Sequence, residues 1–281
     1  MALAYDARVS ERPRRKKSLG QHWLADRRVL KRIDEAADFT DEDTVIEIGP
    51  GTGLLTGLLA ERAESLIGVE IDDALAEGLR ERFSDQQSIT ILNDDVLSLS
   101  PKQVLLSSEG HPPYVVVGNL PFNVGTAIIS HFLRTKPRPR WLLVTLQAEV
   151  AESMCATSGK TSYLSVLIGL YASARILFYV PARAFRPPPK VRSAVARIDV
   201  RDTPLVAEDE CEAFIKLVQA GFAAPRKRIR NSLAIGLRIP PAEAEEMLAR
   251  ASLDPTVRPA EIGINGWVGL FESYRAVKDA G

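Results

Sequence analysis

TVIEIGPGTG, residues Thr44 to Gly53, is the stretch whose reading decides the fold. Val45, Ile46 and Ile48 form a short apolar run rich in β-branched side chains. Such a run reads as a strand buried on both faces rather than as an alternating surface strand. It stops in glycine. Gly49, Gly51 and Gly53 lack Cβ atoms, so the chain can turn tightly and expose its backbone to a ligand before a helix starts at Leu54.

The chemistry of that loop narrows what it holds. There is no GxxxxGK[ST], hence no lysine for a β/γ-phosphate, and the glycines fall as GxGxG rather than the dinucleotide GxGxxG. Glu47 lies inside the strand, Glu70 follows the apolar run Leu66 to Val69, and Asp94 and Asp95 follow Ile89 to Leu92. An acid at the end of the second strand suits ribose hydroxyls. Together these carboxylates repel a pyrophosphate and tolerate a cation. S-adenosylmethionine, a sulfonium carrying adenosine and no phosphate, fits such a field.

Working outward, the alternation of strand and helix continues past Gly53, the pattern of a doubly wound, mostly parallel sheet. Strands are expected from Val45, Leu66 and Ile89, then at Tyr114 to Val117 and Trp141 to Leu146. Helices are expected at Ala148 to Cys155 and Ser162 to Tyr171, then a hairpin of Ala174 to Val180 and Ser193 to Val200 as an antiparallel edge. Before the glycine stretch, Trp23 and Leu24 make an apolar hook ahead of a helix capped by Asp26. Residues 1–17 carry Arg12, Arg14, Arg15, Lys16 and Lys17 with hardly any apolar anchor, and read as a basic flexible arm. Asp202 to Asp209 reads as a linker, which divides the chain into the arm, a catalytic domain at 18–203 and a small all-α domain at 204–281.

Ligands in such sheets bind beyond the carboxyl ends of the strands. The fourth strand ends in Asn119-Leu120-Pro121-Phe122, which therefore faces the same crevice as Gly49, Glu70 and Asp95. An exocyclic amine such as that of adenine is a poor nucleophile because its lone pair is delocalised into the ring. The Asn119 amide oxygen and a backbone carbonyl left free beside Pro121 can accept both amino hydrogens and aim that pair. Phe122 offers a face for the base. The alternative reading of this tetrapeptide is an ordinary Asn/Pro turn.

Whole-chain numbers exclude more than they select. With Lys+Arg and Asp+Glu at 36 each, no global charge announces a nucleic acid, so that case rests on local clusters. Arg226, Lys227, Arg228 and Arg230 form one, at a helix start whose dipole they oppose. Phe185 and the prolines after it, in a loop with Arg186, Lys190 and Arg192, form another. Cys155 and Cys211 have no ligand spacing, which argues against a zinc site or a disulfide frame and for a reducing cytoplasm. No metal site is expected. The absence of an 18-residue apolar run and of a signal h-region argues against a membrane or secreted protein.

From about Lys17 to its end the chain resembles the small-subunit ribosomal RNA adenine N6,N6-dimethyltransferases, the KsgA or RsmA family, relatives of the Erm methylases. The resemblance rests on GQHWL, EIGPGTGxLT, VEID, NDDVL, GNLPF, FxPPPKVxS and RKRIRNSL in the family's order. It implies a Rossmann-like class I methyltransferase with S-adenosylmethionine held by His22, Leu24, Gly49, Gly51, Glu70, Asp95 and Asn119. It further implies that Asn119, Leu120, Pro121 and Phe122 grip the target adenine with Phe185 on its other side, and that Arg226, Lys227 and Arg228 hold RNA. The implied substrate is a pair of adjacent adenosines in a hairpin near the 3′ end of small-subunit rRNA, within an immature 30S particle. The protein is expected to act as a monomer. His22 stands where the family usually has Asn, Trp23 where it has Phe, and Phe122 where it more often has Tyr. Three other readings stay open: an Erm-like large-subunit methylase, a noncatalytic assembly factor, and an NAD-dependent oxidoreductase, which lacks the third glycine at its required place.

Overall fold

The computed structural model describes residues 22–157 and 159–279. The basic arm and the first two residues of GQHWL lie outside them.

The elements run β1 (Trp23–Leu24), α1 (Arg27–Ala36), β2 (Thr44–Ile48), α2 (Leu54–Leu59), β3 (Ser65–Glu70), α3 (Asp73–Arg82), β4 (Ile89–Asn93), α4 (Pro101–Leu106), β5 (Tyr114–Asn119), α5 (Gly125–Arg134) and β6 (Trp141–Gln147). Then come α6 (Ala148–Met154), α7 (Tyr163–Tyr171), β7 (Ala172–Val180), β8 (Phe185–Arg186), β9 (Ser193–Val200), α8 (Cys211–Gly221), α9 (Ile229–Leu237), α10 (Pro241–Arg250) and α11 (Ile264–Asp279). Seven strands form one sheet in the order β4-β3-β2-β5-β6-β9-β7. The strands from β4 to β6 are parallel, and β9 is antiparallel to both β6 and β7. The Ser193 to Val200 strand therefore slots inside the edge strand that precedes it.

Every residue of β2 is buried, as its unbroken apolar run requires. Ile46 and Ile48 point into one core and Val45 into the other. A sheet buried on both faces puts such residues under helices on each side, and each fully buried Val, Leu or Ile contributes roughly 1.5–3 kcal/mol. The first core runs without interruption from Val116 and Phe132 to Phe214 and Trp267 in the C-terminal helices. The second lies under α1 and α2 and includes Leu30, Leu59, Trp141 and Phe185. Glu47, Glu70 and Asn119 share strand parity with Val45, Leu66 and Val117 respectively, so all three belong to the second face.

Strand order turns round at β2, which has β3 on one side and β5 on the other. Ile48 pairs with Gly118 and with Val69, so the ends of β2, β3 and β5 lie side by side. That is the crevice in which such sheets hold ligands. The hook Trp23-Leu24 forms a separate two-stranded ribbon with β8, Trp23 opposite Arg186 and Leu24 opposite Phe185. Among the described residues no helix is long and apolar enough to cross a membrane.

Candidate active site

Gly49, Gly51 and Gly53 all take positive φ (66°, 59° and 73°), the conformation that side-chain-bearing residues rarely adopt. The turn they make opens a cleft at the ends of β2, β3 and β5. The half-buried Trp23 indole covers the turn so closely that a Cβ on Gly51 would lie 3.1 Å from it.

Acids and apolar walls share the lining. Glu70, 4% exposed, accepts the Gly51 N–H on Oε2 at 2.9 Å and the Asp72 N–H on Oε1 at 3.0 Å. Burial holds its carboxyl above the ordinary range, although these two bonds pull the other way. The carboxylate is thus fixed in place while keeping lone pairs free for hydroxyl donors. Asp95 accepts the Leu97 N–H at 3.0 Å, and Asp94 accepts the Asp95 N–H at 2.7 Å, which freezes both acids at the end of β4. Val69, Ile71, Leu75, Val96 and Ile128 give the same cleft an apolar side. No Lys or Arg is among its described lining residues. An anionic, partly apolar cleft accepts a sulfonium and a flat purine and rejects a pyrophosphate. S-adenosylmethionine therefore fits the residues present.

A side recess beneath the turn is lined by Leu24, Glu47, Gly49, Gly51 and Asn119. Glu47 is 2% exposed and its Oε2 has no hydrogen-bond partner among the described residues. Burial, with the like charge of Glu70 adding to it, pushes its carboxyl up to about 7.

Asn119 ends β5 at the mouth of the cleft. Its Nδ2 donates to the His22 carbonyl at 2.8 Å. A carbonyl can only accept, so the orientation of the amide is settled, and Oδ1 is left buried with no partner among the described residues. Pro121 has no N–H, and its own carbonyl takes the Val124 and Gly125 N–H groups that begin α5. Among the described residues no backbone N–H donates to the Leu120 carbonyl. Neither oxygen has a described partner, Asn119 Oδ1 being closed off from the surface, and the Phe122 ring two residues on from Leu120 is half-buried. That ring stacks on His22 with centroids 5.5 Å apart and planes 25° apart.

The sequence-predicted residues mostly converge. His22, Gly49, Gly51, Glu70, Asp95, Asn119, Leu120, Pro121 and Phe122 all line the one cleft, and Leu24 the adjoining recess. Phe185 is a correction. Its ring is 0% exposed, packed in the second core with Leu24 as its ladder partner, and it lines neither space. It cannot serve as a second face for a base in this arrangement. Arg226, Lys227 and Arg228 are exposed, ahead of α9, and outside the cleft. Sequence reasoning missed the walls: Ile71, 45% exposed directly after a strand-end acid, is a large apolar residue that water does not favour. It also missed that Trp23 covers the turn.

An open sheet of this order, with a glycine turn, strand-end acids and no phosphate-binding cation at its switch point, is that of a Rossmann-like, S-adenosylmethionine-dependent methyltransferase. The chain belongs to the ribosomal RNA adenine dimethylase family, whose model matches residues 12–274. It is 37% identical over 259 residues to a protein of Dehalococcoides mccartyi named ribosomal RNA small subunit methyltransferase A, covering 92% of this chain and 88% of that one. Among solved structures, the 23S rRNA methyltransferase ErmE matches 89% of this chain and 98% of its own at 32% identity and a TM-score of 0.70. A dimethyladenosine transferase from Plasmodium falciparum shares the fold, with a TM-score of 0.76 at 20% identity over 91% of this chain and 98% of its own. The protein is an S-adenosylmethionine-dependent rRNA adenine dimethyltransferase.

Proposed function

We propose that the enzyme places two methyl groups on N6 of each of two adjacent adenosines in a hairpin near the 3′ end of small-subunit rRNA. On this reading it acts as a cytoplasmic monomer on an immature 30S particle. The relative's name supports the choice of subunit. The observation that carries the chemistry is the Asn119 carboxamide, which lines the anionic cleft, is tied through Nδ2 and has a buried Oδ1 with no partner among the described residues.

When bound, S-adenosylmethionine supplies an electrophilic methyl on a sulfonium. Glu70, Asp95 and the glycine turn would hold that cofactor, with the backbone of His22 at its edge and Leu24 supporting the turn from the adjoining recess. In the first transfer Asn119 Oδ1 and the Leu120 carbonyl would accept the two N6 hydrogens and turn the nitrogen lone pair outward, and in the second one of them would accept the single N6 hydrogen that remains, so positioning rather than a strong base supplies the catalysis. After each transfer the nitrogen, cationic once the new bond has formed, would release one proton to water. Phe122 stacks on the base, worth about 1–3 kcal/mol, which offsets the few kcal/mol of unstacking. Arg226, Lys227 and Arg228, in the helical domain at 204–281, hold the RNA backbone with the arm at 1–17.

Mass-spectrometric mapping of N6-methyladenosines in both rRNAs, from cells lacking and then regaining the gene, tests the reading. Paired dimethyladenosines in the small subunit are expected to vanish and return. Restoration confined to large-subunit RNA would hand the assignment to the ErmE-like alternative, with which the chain shares its scaffold at 32% identity. Replacing Arg226, Lys227 and Arg228 together by Gln is expected to flatten the slope of log K against log salt by about 2–3. An unchanged slope discards the patch.

A further inference from the structure

His22 does not use its side chain the way a simple cofactor contact would. Its imidazole stacks on Phe122, and Nδ1 lies 2.8 Å from the Pro187 carbonyl. Because that carbonyl can only accept, Nδ1 carries the proton. The backbone carbonyl of the same residue holds Asn119 Nδ2. One residue thus touches the amide that would grip the amine, the ring that would stack on the base, and the proline loop beyond β8.

We propose that the His22 side chain is a positioning residue for the target base: its ring, pinned to Pro187, backs the Phe122 ring and sets the plane on which the adenine stacks. This rests on the reading of Asn119 to Phe122 as the base site. Phe122 is half-buried and followed by the exposed Asn123, a setting in which an unsupported ring hops between rotamers on the ps–ns scale. At 5.5 Å between centroids the two rings leave no gap for a base, so the base takes the other face of Phe122 while His22 supports the first. A flipped base then meets a surface already ordered, which lowers the entropy lost on binding.

The full-length His22→Ala, His22→Phe and His22→Asn variants separate this role from its rivals. Three readouts apply: S-adenosylhomocysteine Kd by calorimetry, KM and kcat on immature small-subunit particles, and the fluorescence of a hairpin RNA with 2-aminopurine at the target adenosine. His22→Ala is expected to raise the RNA KM about five- to tenfold, within the range of one lost ring pair, and to weaken the quenching of 2-aminopurine. Cofactor Kd is expected to stay within about twofold. His22→Phe keeps the stacked ring but loses the bond to the Pro187 carbonyl, and is expected to recover part of both RNA readouts, whereas His22→Asn is not. If Kd weakens while the RNA KM holds, His22 is a cofactor contact and the inference fails. It fails equally if His22→Phe is as impaired as His22→Ala, or if His22→Asn matches the parent. Should His22→Ala not fold, the Phe and Asn variants decide by the same readouts. A parent enzyme that neither binds nor methylates the RNA overturns the proposed function instead.

Discussion

Two loops of this molecule look alike in sequence and are used in opposite ways. GNLPF, at the end of β5, and FRPPPK, which begins with β8, each join an aromatic ring to proline near cations or polar groups, and each invites a base-stacking role. The Phe122 ring ends half-buried at the rim of the cleft, whereas the Phe185 ring is 0% exposed inside the second core. The difference comes from what precedes each ring. Phe122 follows a proline that stops a central strand at the switch point, so the chain must leave the sheet there. Phe185 lies in a short strand paired with Leu24, and that ladder turns its side chain inward with Val180, Ala184 and Val195. An aromatic beside prolines is therefore a site only when the topology ends it at an open strand edge.

Phe185→Ala tests that contrast most severely. Removing a fully buried ring is expected to cost about 3–5 kcal/mol of stability, read as a lower urea midpoint at unchanged m. Loss of RNA binding with full stability would put Phe185 back at the site.

Much of this was legible beforehand, and for a physical reason. Strands buried on both faces must be written as continuous apolar runs, so β2, β3, β5 and β6 announce themselves, and parallel order then fixes which ends share a crevice. Glu70, Asp95 and Asn119 were legible because each closes such a run. The ribbon of β1 with β8 was not, since a two-residue strand leaves no period to read and its partner lies about 160 residues away. Phe185 was misplaced for that reason. The stacking of His22 on Phe122 depends on the same ribbon and was equally hidden.

Within the loop that does face the cleft, Asn119→Ala comes next in size. It removes the unpartnered oxygen that is to hold the amine, and methyl transfer is expected to fall about 10²–10³-fold, the range seen when one preorganised polar group is deleted. Circular dichroism should show an intact fold. Near-normal turnover would sever the loop from the chemistry and dissolve the contrast with FRPPPK.

Glu47→Gln sharpens it from beneath the turn. The ordinary carboxyl value is 4.5, and burial pushes the folded value up to about 7. Between those values the folded chain keeps a proton that the unfolded chain has released, so stability falls as pH rises through that window and then levels off. Gln cannot ionise. The advantage of the variant over the parent should therefore grow from pH 4.5 to 7 and reach roughly 3 kcal/mol above it. Denaturant melts at intervals across the window measure it, and a pH-independent difference would mean that Glu47 stays ionised against a partner in the folded state.

Phe122→Ala has the smallest expected effect and bears most directly on the comparison. The ring is only half-buried, so its loss should leave the melting temperature close to that of the parent, unlike Phe185→Ala. What should fall is kcat/KM for RNA, by the roughly 1–3 kcal/mol of a lost base stack, with cofactor affinity unmoved. Phe122→Tyr keeps the face and adds a hydroxyl at its edge, and should behave like the parent. If Phe122→Ala instead lost stability as Phe185→Ala does, both rings would be core, and the base would have to be held by the Asn119 amide and the Leu120 carbonyl alone.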